Sequence, residues 1–135
     1  MSDILNPSEK GKIQELIDIQ IALYNIPNVL KENINSLPAN ELYEKIITFV
    51  STIEKSFTII IPDKKKVSLI LHLAFAINRL INNEPMVEYD NKEYMKNNYF
   101  DLYSIIKSSS ISIENHFSIK INDDEICYIM DFIIN

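Results

Sequence analysis

Residues 64–83 read KKKVSLILHLAFAINRLINN, and no other stretch says as much about the fold. At about 100° per residue, Lys65, Ser68, His72, Arg79 and Asn83 fall within an arc of roughly 60° on a helix. Nearly everything else between Val67 and Ile81 is Val, Leu, Ile, Phe or Ala. A helix that is apolar nearly all round belongs in a core. A single polar line carrying an imidazole, a guanidinium and an ammonium is therefore a candidate site. It also fits a core histidine whose polar atoms are satisfied internally, and both readings stand at this point.

Working outward, the same period recurs. Ile13, Leu16, Ile17, Ile21 and Tyr24 mark a helix in the first quarter of the chain. Pro27 and Pro38 bracket a short helix or turn holding Val29, Leu30 and Ile34. A longer helix follows, capped by Asn40, with Leu42, Ile46, Phe49, Val50 and Ile53 as its buried stripe. Asp63 is the expected cap of the His72 helix, which stops at Asn82, Asn83 and Pro85. Leu102, Ile105, Ile106 and Ile113 predict one helix over residues 99–114. Asn122, three residues before Glu125, has the spacing of a capping box and opens a last helix bearing Ile126, Ile129, Met130 and Ile133. Phe57 to Ile61 and Phe117 to Ile121 are short apolar runs between a helix end and a helix cap, and read as extended connectors.

Those connectors carry an internal echo. Glu54, Phe57, Ile59, Ile61 and Asp63 recur 60 positions later as Glu114, Phe117, Ile119, Ile121 and Asp123. The expectation is a core of two related helical hairpins.

Composition sets the outer limits. With 135 residues and 47% hydrophobic side chains, the chain suffices for one domain with one core. One Gly and five Pro are too few for a turn-rich β sandwich or barrel. The single cysteine, Cys127, allows no internal disulfide. There is no basic–apolar leader and no apolar run near the ~20 residues of a membrane span. The expectation is a cytoplasmic protein without membrane association. A net charge of −6 argues against nucleic acid as a direct ligand. The only basic cluster is Lys64, Lys65 and Lys66, either a solvated face or an electropositive mouth beside the His72 line. No phosphate-binding glycine loop, nucleophile elbow or metal-ligand spacing appears, so neither an enzyme nor a bound metal or cofactor is expected. His116 matches no motif and reads as an exposed loop histidine.

Three segments in register resemble the PTS regulation domain (PRD), the sugar-transport-linked regulatory module of many bacterial transcription regulators. HLAFAINRL at 72–80 is similar to that family's histidine helix, MKNNYFDLY at 95–103 to its tyrosine-containing segment, and FSIKINDDEICYI at 117–129 to the stretch entering its final helix. The resemblance spans residues 39–135 and leaves 1–38 as an N-terminal helical extension or linker. It implies an all-α bundle of five helices, two antiparallel pairs plus a crossing helix. It also implies homodimerisation and phosphorylation on histidine by HPr or a sugar-specific enzyme IIB. His72 matches the first phosphoacceptor, with Lys65, Ser68 and Arg79 as candidate phosphate or partner contacts. The acidic residue that often precedes that histidine is Leu71 here, so something else must orient the ring. The second histidine would fall at Phe132, which cannot carry phosphate. With one histidine lost, the chain looks most like the degenerate C-terminal copy in levanase-operon-type activators. A fragment of such a regulator and a free-standing module both fit. Two functions follow: a phosphorylation-responsive domain controlling sugar-uptake genes, or a helical dimerisation and interaction module in which His72 is never phosphorylated.

Overall fold

The computed structural model describes residues 6–135; the first five residues of the expected N-terminal extension lie outside the described residues. Seven helices follow one another: α1 (Pro7–Asn33), α2 (Ala39–Phe57), α3 (Asp63–Ile81), α4 (Lys92–Asn98), α5 (Phe100–Ser109), α6 (Ile111–Phe117) and α7 (Asp123–Ile134). No strand occurs among the described residues, as the extended-connector reading requires. Helices α2 and α3 pack as one hairpin, and α5 and α6 with α7 form the second. The hairpins meet through α2 against α5 and α3 against α7, α4 crosses α7, and α1 lies on α2 and α3.

The predicted stripes are the core. Leu42, Ile46, Phe49, Val50 and Ile53 of α2 are buried, as are Leu69, Ile70, Leu73, Ala74 and Ile77 of α3, and Ile126, Ile129 and Met130 of α7. Each aliphatic side chain so removed from water contributes about 1.5–3 kcal/mol before the entropy of ordering the chain.

Four local expectations are corrected. Helix α1 does not break at Pro27 but runs through it. An interior proline costs about 3 kcal/mol, and the burial of Ile26 and Leu30 on either side of it offsets that. Helices α2 and α3 begin one residue beyond a proline that serves as N-cap, Pro38 and Pro62, without side-chain capping. Asn40 and Asp63 thus sit inside the first turns, and Asp63 instead accepts a 2.8 Å hydrogen bond from Gln20 of α1. The helix expected over residues 99–114 divides at Ser110, whose buried hydroxyl donates to the Lys107 carbonyl at 2.7 Å. A serine hydroxyl bonded to the preceding turn competes with the helical ladder. The bundle expected to have five helices therefore has six, α2–α7, with α1 in addition.

The echo is structural. Thr58 and Ser118 end α2 and α6 in the same left-handed conformation, at φ 52° and 55°. The Ile59 and Ile119 N–H groups return to the Glu54 and Glu114 carbonyls at 2.9 and 3.0 Å. The side chains of those same glutamates then accept the N–H of Ile61 at 2.8 Å and of Ile121 at 2.7 Å. One carboxylate in each hairpin thus closes its own connector. Glu54→Ala and Glu114→Ala are each expected to lower stability by about 1 kcal/mol or more in urea denaturation, because each strands a backbone donor. The loss is larger for Glu54, which also pairs with Lys66 at 3.3 Å.

Candidate functional site

Helix α3 carries His72 at mid-length, facing the first turn of α7. Asn122 caps α7 by accepting the Glu125 N–H at 2.9 Å, the expected cap. The Glu125 side chain does not return to the cap residue as a capping box would have it. Its carboxylate, 3% exposed, lies 2.6 Å from His72 Nε2. The Tyr128 and Phe132 rings flank the imidazole, with centroids 5.7 and 5.3 Å from its own. The His72 side chain is 26% exposed. Its Nδ1 bonds to no described residue, and no buried side-chain nitrogen or oxygen among the described residues lacks a partner, so Nδ1 reaches solvent. In the neutral ring a proton on Nε2 satisfies Glu125 and leaves the Nδ1 lone pair free.

The ring opens into a cleft of about 400 Å³ lined by Lys65, His72, Tyr128, Asp131, Phe132 and Asn135. Of the line expected on α3, only Lys65 joins His72 there. Lys65 forms no ion pair with a described residue, whereas Lys64 pairs with Glu15 at 3.6 Å and Lys66 with Glu54 at 3.3 Å. The basic cluster is thus split among three directions rather than gathered at one mouth. Ser68 is exposed in a separate groove between α1 and α3, beside Glu15 and Lys64. Arg79 is half-buried and outside the cleft. Seven residues of helix, about 10 Å, carry it past the start of α7, which runs the other way along α3.

Glu125 is the residue of the candidate site that sequence reasoning passed over. The signal was present: at 100° per residue Glu125 shares a face with Tyr128, Ile129 and Phe132, so an acid stood on an apolar stripe. Its place three residues after Asn122 gave it a capping role that hid the pairing. It supplies the orienting carboxylate that Leu71 cannot. Phe132, where the resemblance puts a second histidine, packs directly against His72.

The next two acids hold α7 in place. Asp123 accepts from Lys96 at 2.8 Å, from the Tyr103 hydroxyl at 2.6 Å and from Lys107 at 3.4 Å. The Lys96 and Tyr103 bonds keep its pKa down at about 2. Asp124 accepts the Tyr89 N–H and Lys92, both at 3.0 Å, and these bonds lower its pKa too, the backbone one most. The Tyr128 hydroxyl donates to the Glu88 carbonyl at 3.0 Å. The loop before α4, and α4 itself, are thereby tied to the helix that carries Glu125.

The remaining candidates contribute no chemistry. His116 lies in α6 rather than in a loop, 3.3 Å from Glu41. Cys127 is wholly buried, and burial pushes its thiol up to about 11, far from a reactive thiolate. No three His, Cys, Asp or Glu side chains among the described residues converge as a metal set. No described helix is long and apolar enough to cross a membrane.

The family model of the PRD domain matches residues 44–135, more than half of the chain. No curated protein and no solved structure matches it. PRD domains are regulatory modules rather than enzymes. The matched segment holds His72, Glu125 and the whole of the cleft between α3 and α7, and this chain belongs to the PRD family.

Proposed function

We propose that the chain is a phosphorylation-responsive regulatory domain of a bacterial transcription regulator of sugar-uptake genes, accepting phosphoryl groups on His72 from HPr or a sugar-specific enzyme IIB in the cytoplasm. Residues 39–135 form the regulatory unit and 1–38 its extension. The observation that carries the reading is an imidazole oriented by a buried carboxylate at 2.6 Å, with its other nitrogen open to a cleft.

Nδ1 attacks phosphorus in line. The new nitrogen–phosphorus bond forms as the donor's bond to phosphorus breaks, and the donor keeps that electron pair. The ring becomes cationic, its Nε2–H shared with Glu125, which offsets the charge as it develops. Lys65 neutralises phosphoryl oxygens at the cleft. Ser68 and Arg79, farther along α3 in both directions, contact the docked donor protein. The phosphoryl group brings up to two negative charges against the one positive charge of the ring, a net gain of about one negative charge beside the buried Glu125, and this charge rearranges the packed surface that sets the regulator's state. Phe132 in place of a second histidine leaves one acceptor, in keeping with the degenerate C-terminal copies of levanase-operon-type activators.

The test is incubation with phosphoenolpyruvate, enzyme I, HPr and an enzyme IIB, with acid-labile phosphate as the readout. Wild type is expected to take up a single phosphate on Nδ1, identified by ³¹P NMR, and His72→Gln none. Glutamine keeps an N–H donor for Glu125 while removing the nucleophile. A wild-type chain that stays unlabelled with every donor would be an interaction module whose histidine serves packing alone.

A further inference from the structure

Helix α1 is apolar on two opposite sides. Ile19, Ala22, Leu23, Ile26 and Leu30 turn toward the bundle, where Ile26 and Leu30 are fully buried. Half a turn round, Ile13, Leu16, Ile17, Ile21 and Tyr24 face outward, 41, 60, 46, 52 and 82% exposed. At about 100° per residue, Ile13, Ile17, Ile21 and Tyr24 lie within roughly 80° of arc, centred opposite Ile26. They line an open apolar groove of about 410 Å³. From Pro7 to Asp18 every residue is exposed, so the first turns of α1 project beyond the bundle. A free helix of about 12 residues is marginal in water, and Gly11 weakens it further. A helix apolar on two sides belongs between two packed layers.

We propose that a second copy of this chain covers the outer stripe, two α1 helices pairing about a two-fold axis. Three observations choose this occupant. Ile13, Ile17, Gln20 and Tyr24 follow one another at intervals of four, three and four residues, the period of a coiled-coil seam, with Leu16 and Ile21 beside it. One stripe present on both partners satisfies a two-fold contact without any further surface. Between Ile13 and Tyr24 the stripe holds no charge to repel its own copy: Glu15 turns to Lys64, and Asp18 accepts from Gln14. The next charges along it are Lys10, one turn before Ile13, and Lys31, two turns after Tyr24. The size also fits. Five large side chains exposed to this degree offer on the order of 500 Å² per copy, and the stems of Gln14, Gln20 and Asn28 bring the pair to about 1,200 Å², the lower bound of a stable interface. The seam lies outside residues 44–135, so the family match does not supply it.

Sedimentation equilibrium of the unphosphorylated full chain tests this independently of His72. Wild type is expected to be dimeric at about 100 μM, well above a micromolar dissociation constant. Ile17→Glu with Ile21→Glu weakens the dimer by about 100-fold or more, while core methyl signals stay unchanged, as does the urea midpoint at concentrations where both chains are monomeric. Ile17→Leu with Ile21→Leu keeps the dimer. A wild-type chain that is monomeric at that concentration, or a doubly charged variant that remains dimeric, overturns the proposal.

Discussion

His72→Ala lowers stability by about 3 kcal/mol at neutral pH, a large effect for a quarter-exposed side chain in the middle of a surface cleft. The loss comes from what is left behind. Glu125 is 3% exposed and His72 is the partner its carboxylate has in the described structure, so truncating the imidazole leaves a buried carboxyl group without its hydrogen-bond donor. Converting Glu125 to Leu in the same chain removes that stranded group, and the double variant recovers most of the loss. The two substitutions are thus expected to be non-additive by about 1–3 kcal/mol. Urea denaturation of the wild type, both single variants and the double variant measures this. Strict additivity would show that the 2.6 Å contact contributes nothing to stability. The same reasoning selects His72→Gln for phosphorylation experiments, because an alanine variant confounds a lost nucleophile with a weakened fold.

Asp123→Asn lowers stability by about 1–2 kcal/mol at pH 7, and the difference from wild type narrows in acid. Three donors converge on the Asp123 carboxylate, and its pKa stands at about 2 instead of 3.8. A carboxylate whose folded pKa is depressed contributes stability that is fully present above the unfolded pKa and lost as pH falls through the folded one. Here that window runs from about pH 4 down to about 2. The whole difference corresponds to about 2.4 kcal/mol, which solvent around the partly exposed group screens to about 1. The lost geometry of the Lys96, Tyr103 and Lys107 contacts accounts for the rest. Urea midpoints at pH 7, 4 and 2.5 test this: a wild-type advantage that persists undiminished at pH 2.5 would place the effect in packing rather than in charge.

The features legible in the sequence were those that depend on period and short-range spacing. The apolar stripes of α2, α3 and α7, the Asn122 cap and the 60-residue echo all follow from local side-chain geometry, and all are present. What escaped was decided by neighbours distant in sequence. Pro27 is a stop signal when α1 stands alone, but the packing of Ile26 and Leu30 carries the helix through it. Ser110 breaks a regular period through one buried hydroxyl. At the candidate site, His72 and Lys65 were visible as one line, yet the line also took in Ser68 and Arg79, which lie outside the cleft because α7 covers only part of α3. Glu125 lies 53 positions from His72, and helical spacing within one element says nothing about a pairing across two.

The closed connectors bear on how a signal at the cleft would spread. Glu54 fastens the first hairpin to itself and Glu114 fastens the second, and neither reaches across. Each half is accordingly a stiff block. His72 belongs to one block and Glu125 to the other, so the imidazole sits on the fault line between them. Under the proposed function, charge delivered there would act as a wedge, tilting one half against its twin while leaving both intact.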